Sequence, residues 1–152
     1  MDSFVQTDAN DLKVLGYLGR ALSLELSAVQ LYTTQARLVG LWGLDAASEK
    51  LRNEAMEEMQ HVEKIISRML ALGVAPNASQ LRPVKLGKDL MSLLRINRDF
   101  EMELVHLYQS AVKHCIRFAR HDDRVFFQSL LEDEQHHADD LVHWMNAIEQ
   151  GH

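Results

Sequence analysis

Four stretches of this chain carry apolar residues in steps of three and four, the spacing that lines one face of an α-helix, and a glutamate interrupts each of them. In the first, Leu15, Leu18, Leu22, Val29, Tyr32 and Ala36 leave a single gap, which Glu25 fills. The second runs Leu51, Ala55, Glu58, Val62, Ile65, Met69 and Leu72. The third places Leu93, Phe100 and Leu107 around Glu103. The fourth, Phe127, Leu130, Glu134, His137, Leu141, Trp144 and Ile148, keeps the three-four step throughout. The chain has only seven Gly and two Pro, and both prolines, Pro76 and Pro83, fall in one segment, so long helices are unobstructed elsewhere. The spacing predicts helices over 11–40, 45–72, 89–120 and 123–149, with Asn10 as N-cap of the first.

Short turns at 40–44 and 121–123 make antiparallel hairpins of helices one and two and of helices three and four. The middle segment, 73–88, is longer. A helix of ~28 residues is roughly 42 Å long, and sixteen residues can extend to roughly 53 Å. That segment can therefore cross the whole length of a bundle. The expected fold is all-α, an antiparallel four-helix bundle with one long crossover between helices two and three. At 152 residues it forms one domain.

Composition excludes several function classes. The net charge is −6 with no block of Lys or Arg, so the electrostatics for nucleic acid or an anionic membrane are missing. No apolar run is long enough to span a bilayer. The polar, acidic start at 1–10 does not have the pattern of a secretory leader, and the single cysteine, Cys115, has no internal disulfide partner. A cytoplasmic protein is expected.

The polar breaks carry the chemistry. Glu-x-x-His occurs at His61, His106, His137 and His152, and alone it is a weak signal. Position strengthens two of the four. Spacing of three puts Glu58 with His61, and Glu134 with His137, on one helix face, and that face is the apolar stripe. Each half of the chain then supplies one Glu on its first helix and Glu-x-x-His on its second, and Glu25 stands almost as far from Glu58 as Glu103 does from Glu134. Four carboxylates on inward faces need counter-charge, because an unpaired buried carboxylate costs several kcal/mol or takes up a proton. Two divalent cations would balance them; the competing accounts are a solvated face that only mimics a core stripe, or pairing with arginines such as Arg68 or Arg95. Carboxylate oxygens mixed with imidazole suit iron, manganese or zinc better than calcium. The six expected ligands are Glu25, Glu58, His61, Glu103, Glu134 and His137.

From about residue 12 to residue 148 the chain resembles the bacterioferritins. The resemblance rests on Glu25-Leu-Ser-Ala-Val-Gln-Leu-Tyr32, Trp42-Gly43-Leu44, Glu58-Met-Gln-His61, Leu93-Leu94-Arg95, Glu101-Met102-Glu103-Leu104 and Glu132-Asp-Glu134-Gln-His-His137. One Glu from each of two helices plus Glu-x-x-His from each of the other two is the ligand pattern of ferritin-like carboxylate proteins. The resemblance implies a ferroxidase in which two iron ions per chain sit side by side. Glu58 and Glu134 would bridge them, Glu25 and Glu103 would each cap one, and His61 and His137 would each ligate one. O2 or H2O2 would take the electrons, for iron storage or detoxification. Tyr32 is either an electron donor to that centre or a plain core tyrosine.

Met59 lies about 100° around the helix from Glu58 and so points sideways from the bundle interior. With Met56 and Leu26 it suggests an apolar contact with a second chain. The resemblance implies more, because the methionine of Glu-Met-x-His in bacterioferritins binds haem iron (haem b) across a subunit two-fold. His106 would be a further ligand, an outer hydrogen-bonding partner or an ordinary rim histidine, and His114, His136 and His143 are expected at the surface.

Two features depart from the family pattern. Only fifteen residues follow His137, too few for the fifth helix of the large storage shell, so a homo-oligomer of two or twelve chains is expected rather than twenty-four. The family's inner-surface iron site uses His and Asp on helix two, where this chain has Asn53 and Glu57. The alternatives are a di-iron oxidase or peroxidase without storage, and a haem-linked dimer for electron transfer. The chain has no Cys-x-x-Cys, which argues against a full rubrerythrin.

Overall fold

The computed structural model describes residues 9–77 and 79–151. Most of the N-terminal segment read for a leader, and His152 of the last Glu-x-x-His pair, lie outside the described residues. Four helices are present among the described residues: α1 (Ala9–Leu41), α2 (Asp45–Ala71), α3 (Leu90–Arg117) and α4 (His121–Glu149). Helix α1 packs on α2 and α3 packs on α4, and α1 and α3 join the two hairpins. The expected bundle with its long crossover is the observed fold, and no described helix is long and apolar enough to cross a membrane.

The helix ends differ from the sequence reading where backbone geometry decides them. Asn10 lies inside α1 and is not its cap, since the helix already includes Ala9. At the start of α3, Asp89 caps: its Oδ1 accepts from Ser92 N at 2.8 Å, and Ser92 Oγ accepts from Asp89 N at 3.2 Å. Helix α3 ends at Arg117, three residues earlier than expected, because Ala119 turns left-handed (φ 55°). Arg120 N then donates to Cys115 O at 2.8 Å, and Ala119 N to Ile116 O at 3.4 Å. This is the same stop that Gly43 gives α1 and Gly73 gives α2, but with a side chain in the strained position. Replacing Ala119 by Gly relieves about 1–2 kcal/mol of left-handed strain against about 0.5–1 kcal/mol of added chain entropy. Ala119→Gly should therefore stabilise the protein by roughly 0.5–1 kcal/mol, read as a higher urea midpoint at unchanged slope.

Three polar links fix how the helices meet. Gln35 on α1 and Asn97 on α3, both fully buried, exchange amide hydrogen bonds at 2.7 and 2.8 Å. Their reciprocal pairing sets the register of α1 against α3, because a slip would leave two buried amides unsatisfied. Arg68 of α2 binds Asp123 of α4, and Arg120 binds both Asp123 and Asp11. The crossover lies along α1, where Gln80 N and Arg82 N donate to Ser23 Oγ and Ser27 Oγ, each at 3.0 Å. Its Arg82 guanidinium then forks onto both oxygens of Glu103 at 2.6 Å.

Candidate metal centre

Helix α3 is turned so that its inward stripe is Leu94, Asn97, Glu101, Leu104, Tyr108, Ala111 and Cys115, an unbroken run of three-four steps, all buried. Glu103 falls off that stripe. It is half exposed, held by Arg82, and its carboxyl sits below the ordinary range because that guanidinium hydrogen-bonds it. The structure thus corrects the reading of helix three: Glu101, 3% exposed, stands where Glu103 was expected. A signal for this is present in the sequence. Glu101 stands as far before Glu134 as Glu25 stands before Glu58, whereas Glu103 does not.

The remaining five expected residues meet Glu101 in the middle of the bundle. Glu25, Glu58 and Glu134 are fully buried, and His61 is 3% exposed. Two groups of donor atoms form, each within 4.8 Å: Glu25, Glu58, His61 and Glu134, and then Glu58, Glu101, Glu134 and His137. Glu58 and Glu134 belong to both, so each can reach two adjacent metal positions. The imidazoles face inward through Nδ1. His61 Nδ1 is 3.0 Å from Glu25 and 2.8 Å from Glu134, and His137 Nδ1 is 3.3 Å from Glu58 and 3.5 Å from Glu134.

The pattern repeats along the chain at one constant offset, with Glu25, Tyr32, Glu58 and His61 matching Glu101, Tyr108, Glu134 and His137. The tyrosines cross between the halves. Tyr32 of α1 donates to Glu101 Oε1 at 2.6 Å, and Tyr108 of α3 donates to Glu25 Oε2 at 2.7 Å. Both phenols are raised well above their ordinary range, first by burial and then by the facing glutamates, so they stay protonated and remain donors. Tyr108 is a site residue that the stripes alone do not single out, although its place in the repeat marks it.

This cluster fits cations. Six of its eight carboxylate oxygens are buried and make no well-formed hydrogen bond: Glu25 Oε1, both of Glu58, Glu101 Oε2 and both of Glu134. His61 Nδ1 nevertheless faces Glu134 Oε1 at 2.8 Å, and His137 Nδ1 faces Glu58 Oε1 at 3.3 Å. Among the described residues no Lys or Arg bridges to these four glutamates; Arg68 is engaged by Asp123, and Arg95 is exposed. Burial, then the charge of Glu25, pushes the carboxyls of Glu58 and Glu134 well above the usual range. Burial opposes charge on His137 as well, but the Glu58 carboxylate facing its Nδ1 at 3.3 Å outweighs burial and carries the imidazole to about 10. Glu54, a turn before Glu58, rises to about 7 through burial and Glu101. Protons and a metal ion would compete for the same atoms here.

The other candidates lie outside this cluster. His106, His136 and His143 are exposed. His114 is half-buried, its ring 5.9 Å from that of Tyr17 and 4.9 Å from that of Phe118. Met59 is 42% exposed on the outer side of α2, with Met56 59% exposed one turn before it.

Comparison with known proteins points the same way. The family model for the ferritin-like domain matches residues 15–151. The bacterioferritin of Rhodobacter capsulatus is 36% identical over 131 residues, 86% of this chain and 81% of that one. The bacterioferritin of Brucella melitensis is 32% identical over 129 residues, 85% of this chain and 80% of that one. A solved structure of the Rhodobacter capsulatus protein, described as having a metal-free dinuclear site and a haem iron on a crystallographic special position, matches with a TM-score of 0.88 at 34% identity. It covers 92% of this chain and 88% of its own. With the same bundle and relatives aligned over most of its length, this chain belongs to the bacterioferritins.

Proposed function

We propose that this chain is a ferroxidase that takes up two Fe2+ in the α1–α4 cluster and returns Fe3+ for storage or detoxification. The observation that carries the reading is the set of six buried carboxylate oxygens, none in a well-formed hydrogen bond, arranged with two histidines around two adjacent positions. Glu58 and Glu134 would span both ions. Glu25 with His61 would complete one position, and Glu101 with His137 the other. A ferrous pair held side by side can give up two electrons to one O2 or H2O2.

The protein's own part is to bind, orient and hold protons. Four carboxylates balance two divalent ions, so neither ion needs a counter-anion from solvent. Tyr108 and Tyr32 each donate to one oxygen of a terminal glutamate and leave the other oxygen free to face a metal. Tyr32 is also near enough to the cluster to supply an electron. The same residues would bind manganese or zinc, and a redox role excludes zinc, which has no accessible higher oxidation state.

Haem is the second part of the reading. The donor this chain offers is the thioether of Met59, exposed on the outer face of α2. Two copies related by a two-fold would bring two such thioethers to one haem iron, so the reading includes a homo-oligomer with an α2 contact.

The test is Fe2+ loaded anaerobically at two ions per chain and then mixed with O2. A fast phase that consumes both ions and leaves the ferric product with the protein is the expected result. Oxidation at the rate of buffer alone would sink the ferroxidase reading.

A further inference from the structure

An imidazole can ligate a metal through only one nitrogen at a time, and which one is set by what the other nitrogen does. In both halves of the cluster Nδ1 points inward and Nε2 points outward onto a carboxylate. His61 Nε2 is 3.0 Å from Asp133 Oδ2, and His137 Nε2 is 2.7 Å from Glu57 Oε2. These two acids are not among the inward residues. Their side chains are 47% and 52% exposed.

Their places in the chain follow the same repeat. Glu57 immediately precedes Glu58 and Asp133 immediately precedes Glu134, so the two acids are matched at the same offset as every other pair. A residue one step before an inward glutamate sits about 100° around the helix, at the edge of the face. From that edge each acid reaches across to the other helix: Asp133 of α4 meets the histidine of α2, and Glu57 of α2 meets the histidine of α4. The repeated unit is therefore acid-Glu-x-x-His, with the acid of each unit serving the histidine of the other.

We infer that Asp133 and Glu57 are positioning residues, each accepting Nε2–H of the facing histidine so that the Nδ1 lone pair is held toward one metal position. The inference rests on the two-ion reading of the cluster. It makes the two acids position-specific: Asp133 governs the ion at Glu25 and His61, and Glu57 the ion at Glu101 and His137. An acid that merely added negative charge would strengthen both ions alike. An acid that acts by hydrogen bonding can be replaced by its amide, which keeps a carbonyl acceptor.

Co2+ titration of the metal-free full chain tests this, followed by equilibrium dialysis and by the d–d absorption that reports coordination geometry. Wild type should bind two Co2+ per chain. Asp133→Ala should leave one ion at wild-type affinity and weaken the other about 10–100-fold with a changed spectrum. Glu57→Ala should do the same at the other position. In a His61→Ala background Asp133→Ala should add no further loss, whereas in His137→Ala it should weaken the remaining ion by the same factor. Asp133→Asn and Glu57→Gln should restore most of the affinity. Thermal melts of the metal-free variants should match wild type, since both side chains are half exposed.

Two wild-type Co2+ affinities in both alanine variants would overturn the inference and leave the two-ion reading standing. Equal weakening of both ions by either substitution, or failure of the amides to rescue, would also overturn it. A wild-type chain that takes up no Co2+ would remove both readings together.

Discussion

Glu58→Leu is expected to abolish coupled oxidation of Fe2+ while making the metal-free protein more stable. Glu58 is shared by both groups of donor atoms, so its loss damages two positions at once. Losing a partner that only orients a ligand costs about 10–100-fold, and losing a shared ligand should exceed roughly 100-fold in oxidation rate. The gain in stability has the same cause. Without metal, Glu58 is a buried carboxyl with no well-formed hydrogen bond on either oxygen, pressed by burial and by Glu25 and Glu134 and only partly relieved by His137. An apolar side chain of similar volume should recover about 1–4 kcal/mol, or several degrees in the melting temperature of a chain this size. Stopped-flow oxidation and thermal melts with and without Zn2+ measure the two halves. Saturating Zn2+ should raise the wild-type melting temperature and leave that of the variant nearly where it was, since an ion stabilises only a fold that binds it.

The second large effect separates two glutamates only two residues apart. Glu101→Ala should lose the ion shared with His137 and slow oxidation at least about tenfold. It also leaves the Tyr32 hydroxyl without its acceptor. Glu103→Ala should oxidise Fe2+ at the wild-type rate. Its expected cost is a looser crossover, because Arg82 loses its partner, and an exposed ion pair of that kind contributes about 0–1 kcal/mol. Equal loss of activity in both variants would contradict the register of α3.

That register shows how far the amino-acid pattern carries. The bundle, its crossover and five of the six clustered residues follow from apolar stripes and their polar breaks, because burial on one helix face has a fixed period. Helix α3 misleads because Leu93, Phe100 and Leu107 make a regular stripe of their own, and because Glu103 precedes His106 by three and so copies the ligand motif. Both stripes are helical, and apolar spacing alone does not choose between them, whereas contact with α1 does. The choice falls to Glu101 because Asn97, one turn before it, must meet Gln35, and Tyr32 must reach a carboxylate. The constant offset between the two halves is legible in the sequence and selects Glu101, and with it Tyr108.

Other features are out of reach of pattern alone. The stop of α3 depends on a left-handed Ala119, where sequence rules look for Gly or Asn. The pairing of Asp133 with His61 and of Glu57 with His137 crosses between helices, so no local spacing states which acid serves which histidine. Glu103 acquires its role only from Arg82, a crossover residue whose position depends on the packing of that segment against α1.

The central claim is that two metal ions sit between Glu25, Glu58, His61, Glu101, Glu134 and His137. Anomalous diffraction at the iron edge, from crystals loaded with Fe2+ without oxygen, tests it most directly. Two peaks per chain are predicted about 3.5–4 Å apart, with Glu58 and Glu134 between them, both histidines bound through Nδ1 and no density at Glu103. A cluster that stays without iron, or a peak ligated by Glu103 in place of Glu101, would contradict it.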